Sequence, residues 1–448
     1  IQKHLEHSTK NAETDRHDGS NYHLFLRNPE DDTGEACGLA FAITSNATKT
    51  GAAIMHEREG GGSQGKMTME LTAEWEKKTG HKVNFLEMPA STSDQYVQYK
   101  TWLSAQNSDV DIYKVDNVWA GEFGTQLIDL KPYLDEQLEI MPNVLSAYTT
   151  AKGEIIGLPY SVGIPMLYYR TDLLEKYNRD VPETWDEMTE TAQFIQDKER
   201  AAGNDKMWGF VWQGNAYEGL TCDALEWVAS HGGGMIVEKD GTISINNPNA
   251  AAALDMAAKW VGTISPEGVI GYKEEDARGI WDQGNAVFMR NWPYAWSLSN
   301  KDESAVKGKF DVVQLPRGPN GKSTSTMGGW GYAVSKYSEK QEVAIDLVKF
   351  LSNRDAQHAT IAEYSMPPVY IEIYDNKEHA ETYTLLPLLK GPSQALLPRP
   401  SAQTSGKWPQ VTVAFYTAAH EVITGKKDGT TAVAELEKAL KKIKGKGW

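Results

Sequence analysis

An alternation of strand, helix, strand, helix and strand begins near residue 53, and it narrows what this chain can fold into more than any other feature. Ala53, Ile54 and Met55 read as a short strand, and Met67, Leu71 and Trp75 then recur at near-helical spacing. Lys77 and Lys78 suit the C-terminal end of that helix, and Gly80 stands where it should stop. Residues 82–86 predict a strand, 93–105 a second helix and 110–115 another strand. Such alternation implies a parallel sheet with crossover helices. Further on, a helix is expected from Pro182 to about Arg200 with Thr184 as its N-cap, and residues 249–262 form an Ala-rich helix. Val343, Leu347, Phe350 and Leu351 line one face of another helix, and Val433, Leu436, Leu440 and Ile443 line the last. The 448 residues suffice for two or three domains with real cores, and no internal repeat is visible.

The formal charge of −16 opposes a polyanionic partner, so nucleic acid is excluded as the expected ligand. Aromatic choice is skewed: 14 Trp and 20 Tyr against 10 Phe favour rings with a polar edge. Cys37 and Cys222 form no CxxC, and a disulfide between them stays open. No apolar run approaches the ~18 residues of a membrane span. The chain starts at Ile1 rather than Met, which fits a processed product, and no signal peptide is visible. Residues 1–52 read as an atypical N-terminal extension, polar apart from an apolar patch at 37–43. His4 and His7 sit at metal-ligand spacing, but no further ligand cluster joins them and a solvated face is expected. Gly60, Gly61, Gly62 and Ser63 read as a flexible linker.

Two segments dense in aromatic residues and glycine bear on function. They are Arg290-Asn291-Trp292-Pro293-Tyr294-Ala295-Trp296 and Thr326-Met327-Gly328-Gly329-Trp330-Gly331-Tyr332. Indole and phenol faces beside bare backbone suit the C–H faces of a sugar ring, although core packing explains any single Trp equally well. Asp116 ends the 110–115 strand, beside Asn117 and Trp119. Ligands of open α/β sheets bind beyond the carboxyl ends of strands, where a carboxylate accepts hydroxyl bonds; capping the next helix is the alternative. The Asp109/Asp111 pair fits turns and caps better than a metal, and Asp240-Gly241-Thr242 fits a hairpin turn better than a calcium loop. The nucleophile elbow, the HExxH zinc motif, the P-loop and the dinucleotide fingerprint are all missing, so no catalytic residue, cofactor or metal is assigned. With 61 acidic residues, a carboxylate pair for glycoside hydrolysis stays open.

Taken in order, several segments resemble the sugar-binding proteins of ABC importers (extracellular solute-binding protein family 1), nearest the trehalose/maltose-binding type. They are Glu74 to Gly80 followed by a strand, Asp109 to Tyr113, Leu158-Pro159-Tyr160 through Leu167 to Asp172, and Trp212-Gln213-Gly214 with Tyr217 to Cys222. Arg290 to Tyr294 and Gly328 to Ser335 complete the set, which covers roughly residues 53–448. The resemblance implies an α/β chain in a two-lobe periplasmic-binding-protein fold of type II, with a hinge and a ligand cleft between the lobes. It places one lobe at 53–162 and 327–375 and the other at 163–326 and 376–448. Crossings are expected near 160–165, 326–334 and 375.

By the same resemblance Trp292 and Trp330 stack on sugar faces, Tyr294 and Asp116 bond hydroxyls, and the amides of Gly328 and Gly329 bond ring substituents. Arg399 corresponds to the family's cleft arginine. Gln64, Tyr96 and Trp212 join the expected ligand-binding set. Where trehalose/maltose-type members carry an aromatic and then an Asp, this chain has Ser161 and Gly163. That departure argues against trehalose and predicts room for a different or larger glycoside. The implied protein is a monomeric, periplasmic or otherwise extracytoplasmic, non-enzymatic receptor that delivers a small neutral glycoside, of disaccharide size, to membrane permease subunits. A glycoside hydrolase with an aromatic cleft, a binder of acidic or sulfonated sugars, and a separable N-terminal segment with its own partner are the rivals.

Overall fold

The computed structural model describes residues 37–39, 52–56, 63–134, 139–319 and 321–448. The His4/His7 pair, most of the N-terminal extension and Gly60 to Gly62 lie outside the described residues, whereas Ser63 opens a helix.

Among the described residues ten strands form two sheets. The first holds β1 (Cys37–Leu39), β2 (Ala52–His56), β3 (Val83–Pro89), β4 (Ile112–Asp116), β5 (Leu158–Gly163) and β10 (Gly328–Val334), in the order β1-β3-β2-β4-β10-β5. The second holds β6 (Met166–Arg170), β7 (Trp208–Val211), β8 (Ala286–Asn291) and β9 (Phe310–Gln314), in the order β7-β8-β6-β9. As the alternation predicts, β2 runs parallel to β3 and to β4, with helices Ser63–Thr79 and Thr92–Ser104 as the crossovers. The chain leaves the first sheet between Gly163 and Met166 and returns to it between Gln314 and Gly328.

Local signals explain the element ends. Met67, Leu71 and Trp75 turn one helical face into the core, and Gly80 at φ +76° follows Lys77 and Lys78 at its end. Thr184 caps helix Trp185–Ala201 in a reciprocal box: its hydroxyl accepts the Glu187 N–H, and the Glu187 carboxylate accepts the Thr184 N–H at 3.1 Å. Asp240-Gly241-Thr242 is a turn, closed by the Val237–Ile243 bridge. Asp111 is wholly buried, accepting the Ser338 hydroxyl beside Lys340, which suits a structural role.

Among the described residues the buried apolar side chains, those of the strands included, form two clusters. Much of the tryptophan surplus sits in one of them. Trp185, Phe210, Trp212, Trp227 and Trp260 pack mostly tilted or edge to face, with the Trp212 and Trp227 ring centroids 5.1 Å apart. Cys222 is a free, buried thiol. Among the described residues no helix is long and apolar enough to cross a membrane.

Candidate functional site

Strand β4 supplies one side of the site. Its two-residue alternation puts Lys114 and Asp116 on the same face. The antiparallel register sets Tyr332 opposite Lys114 and Trp330 opposite Asp116, with Ser161 of β5 beyond Trp330. Lys114 is fully buried; its Nζ donates to Gln64 Oε1 at 3.0 Å and lies 4.0 Å from the Trp330 ring centroid. Gln64 also accepts the Tyr160 hydroxyl at 3.0 Å. Gln64 is therefore part of a buried floor that holds a cation against one indole face.

The loop that follows β8 supplies the other side. Trp292 donates its indole N–H to Glu274 Oε1 at 3.3 Å, and the Arg290 guanidinium lies 4.4 Å from its ring centroid. Tyr217 donates to the other Glu274 oxygen at 2.6 Å, and Tyr294 donates to Glu275 at 2.6 Å. These acids open helix Glu274–Asp282, so one short helix orients three aromatic side chains. Beneath them Arg290 is buried with Glu226, Asp223 and Gln213, its Nη2 only 2.6 Å from Glu226 Oε1. Burial pushes the Asp223 and Glu226 carboxyls above the ordinary range, against the pull of Arg290.

The glycines bring the two sides together. A Cβ on Gly328 would come within 2.6 Å of the Trp292 ring, and one on Gly163 within 3.0 Å of it. Gly329, at φ +133°, could carry a side chain only by colliding with the Ser161 carbonyl. This corrects one expectation. The space beside Gly163 is taken by Trp292 rather than left open for a larger glycoside, and Ser161 is buried in the sheet.

Arg399 lies between the two sides. Its Nη1 donates to Glu218 Oε1 at 2.7 Å and Asp116 Oδ2 at 3.3 Å, and its Nη2 to Asp116 Oδ1 at 2.6 Å and Asn117 Oδ1 at 2.7 Å. Its Nε is buried with no hydrogen-bond partner. Glu218 heads helix Glu218–Ser230 of the second sheet, Asp116 ends β4 of the first, and Thr412 donates to the second Glu218 oxygen at 2.7 Å. Burial pushes the Glu218 carboxyl up, opposed by Arg399.

Two expected ligands stand apart. Trp212 is fully buried in the tryptophan core and donates to Ser265 at 3.1 Å, so it packs rather than faces the site. Tyr96 donates to Glu122 at 2.9 Å and packs against Trp119 and Phe123; burial pushes its phenol up to about 12. It connects to the site through Trp119, whose ring meets Trp330 edge-on with centroids 6.0 Å apart. Glu218, Lys114 and Glu274 carry roles that the residue reading did not assign. The signal for Lys114 was present in its two-residue spacing from Asp116. Among the described residues no group of three or more His, Cys, Asp or Glu is placed to hold a metal.

Comparison with known proteins bears on this arrangement. The model of the bacterial extracellular solute-binding protein family matches residues 61–358. A Deinococcus radiodurans protein described as a probable ABC transporter-binding protein is 40% identical over 377 residues, covering 84% of this chain and 89% of its own. A maltodextrin-binding protein of Bacillus subtilis is 25% identical over 264 residues, covering 55% of this chain and 56% of its own. The structure of a maltose-bound T. maritima MalE3 superimposes with a TM-score of 0.79 at 36% identity, over 84% of this chain and 96% of that one. A ribitol complex of an Agrobacterium radiobacter solute-binding protein, 21% identical with a TM-score of 0.76 over 85% of this chain and 96% of its own, shares the fold. Two sheets joined by repeated crossings, with aromatic and charged side chains converging between them, are thus a two-lobe binding-protein architecture, and the chain belongs to the bacterial extracellular solute-binding protein family.

Proposed function

We propose that the protein is the extracytoplasmic receptor of an ABC importer and captures a small neutral glycoside of disaccharide size. One observation carries the reading. Trp330 lies opposite Asp116 in the sheet, Asp116 and Asn117 hold Arg399, and Trp292 packs against Gly328 two residues from Trp330, with both indoles half-buried. Indoles suit the C–H faces of pyranose rings, and ionised groups make the stronger hydroxyl bonds. The maltose held by the T. maritima relative at 36% identity supports the same class of ligand.

On this reading residues 53–162 and 327–375 form one lobe, and 163–326 and 376–448 the other. Sugar bridging both would favour the closed form that permease subunits read, with the receptor acting as a monomer. Asp116, Tyr294, Arg399 and the Gly328 and Gly329 amides serve the sugar hydroxyls. Gln64, Ser161 and Gly163 shape the walls. An affinity near micromolar, about −8 kcal/mol, suits such a site.

A thermal-shift screen tests the reading with trehalose, maltose, sucrose, longer glucosides, polyols and acidic sugars. A ligand at 100 times its dissociation constant adds about 2.7 kcal/mol of stability. The expected result is a shift with a neutral disaccharide that is recovered intact. Cleavage of that sugar would point to a hydrolase instead, and a flat response to every neutral glycoside would contradict the proposal.

A further inference from the structure

Arg399 has five N–H donors to give. Four hydrogen bonds from its two terminal nitrogens go to Asp116, Asn117 and Glu218, all within the protein. One guanidinium facing two carboxylates leaves the group with a formal charge of −1. The donor that remains is Nε, buried and unpartnered. A neutral hydroxyl brought to that point would find a matched pair: Nε–H to donate to it, and a carboxylate oxygen to accept its hydrogen bond. An anionic substituent finds a single donor and two carboxylates that repel it. Repulsion between like charges is strong where water is excluded, and Arg399, Asp116 and Glu218 are each more than nine-tenths buried.

Glu218 is the member that decides this. Asp116 alone would neutralise Arg399 as a simple pair. The second carboxylate is held in place by the Thr412 hydroxyl at 2.7 Å and by its own backbone N–H, which donates to Ser93 at 3.2 Å. Ser93 belongs to a helix of the first sheet's side and Thr412 to helix Trp408–Ile423. Glu218 is thus delivered to Arg399 from the opposite lobe to Asp116.

We propose that Glu218 is a specificity-determining residue: by taking a share of Arg399 it keeps the Arg399–Asp116–Glu218 group anionic and excludes sugars that bring a carboxylate, phosphate or sulfonate against it. The inference rests on the receptor reading and deepens it. It assigns the arginine to neutral-sugar recognition, where its charge alone would suggest an acidic ligand.

The test compares wild type with Glu218→Gln by calorimetric titration against maltose, maltobionate and maltose 1-phosphate. Wild type should bind maltose and prefer it to both anions by at least about a hundredfold, on the scale of two buried like charges. Glu218→Gln keeps the shape and removes the extra charge. The preference for maltose over the two anions should fall about tenfold or more, whatever happens to maltose affinity itself. An unchanged preference in a folded Glu218→Gln that still binds maltose overturns the inference and leaves the receptor reading intact. A wild type that binds the anions as tightly as maltose also overturns it. Binding of no neutral glycoside by wild type removes the receptor reading, and the inference with it. Should Glu218→Gln fail to fold, Thr412→Val releases the same carboxylate, and the preference should fall two- to threefold; no change there is equally contrary.

Discussion

Two buried arginines hang from one helix, Glu218–Ser230, and they do different work. Arg290 meets Asp223 and Glu226 in the middle of that helix, and Arg399 meets Glu218 at its first residue. Each guanidinium faces two carboxylates. The difference lies in what the pairs connect. Arg290 is the penultimate residue of β8 and ties that strand to a helix of the same sheet's layer, where all partners stay together while the fold persists. Arg399 ties the end of β4, in the other sheet, to Glu218, and it keeps one donor unused. Identical charge chemistry ties neighbours within one layer in one place and joins the end of β4 to Glu218 in the other, where the proposed function makes it a recognition group.

The comparison breaks most readily at Arg290. Arg290→Met strands two carboxylates that cannot reach water without unfolding, so it should cost about 3–5 kcal/mol of stability by denaturant unfolding. Next, Trp292→Ala and Trp330→Ala should each lower sugar affinity about a hundredfold, some 2–3 kcal/mol, with the fold intact by circular dichroism. Third, Arg399→Met should abolish sugar binding yet cost only roughly 1–2 kcal/mol of stability, because opening the lobes rehydrates Asp116 and Glu218. Equal stability losses at the two arginines would refute the distinction.

The smallest effect is on pH. Burial raises the carboxyls of Glu218, Asp223 and Glu226 above their unfolded values. Groups shifted this way bind protons more tightly when folded, so their stabilising contribution is complete below the ordinary carboxylate value and fades as pH rises through the raised one. The melting temperature should therefore climb as pH falls through the raised values towards the ordinary carboxylate range. Below that, Glu187 and Asp428, both held low by backbone hydrogen bonds, work the other way. Glu226→Gln should flatten the climb more than Glu218→Gln, since Glu218 alone regains water on opening.

Much of this was legible in the residues. The helix through Met67, Leu71 and Trp75, the Thr184 cap and the parallel β2-β3-β4 unit follow from local spacing and capping chemistry, which act within one turn or one strand. Strand alternation could also have shown that Lys114 shares a face with Asp116. What spacing could not show are the encounters made by the fold. Arg399 meets Asp116 from 283 residues away, and Glu218 from 181. Trp212 was misread because an indole beside a glycine looks the same in a core as in a cleft; only its packing against Trp227 and Trp260 separates the two. Gly163 looked like a lost carboxylate and an opened space, yet the missing side chain makes way for Trp292.

The most direct measurement is calorimetric titration of the intact protein, and of its Trp330→Ala variant, with maltose and other neutral disaccharides. The account predicts one-to-one binding of at least one neutral disaccharide near micromolar affinity, recovery of that sugar unchanged, and loss of the heat signal in Trp330→Ala. Binding that survives the substitution at full strength, or no binding of any neutral disaccharide by the intact protein, would contradict it.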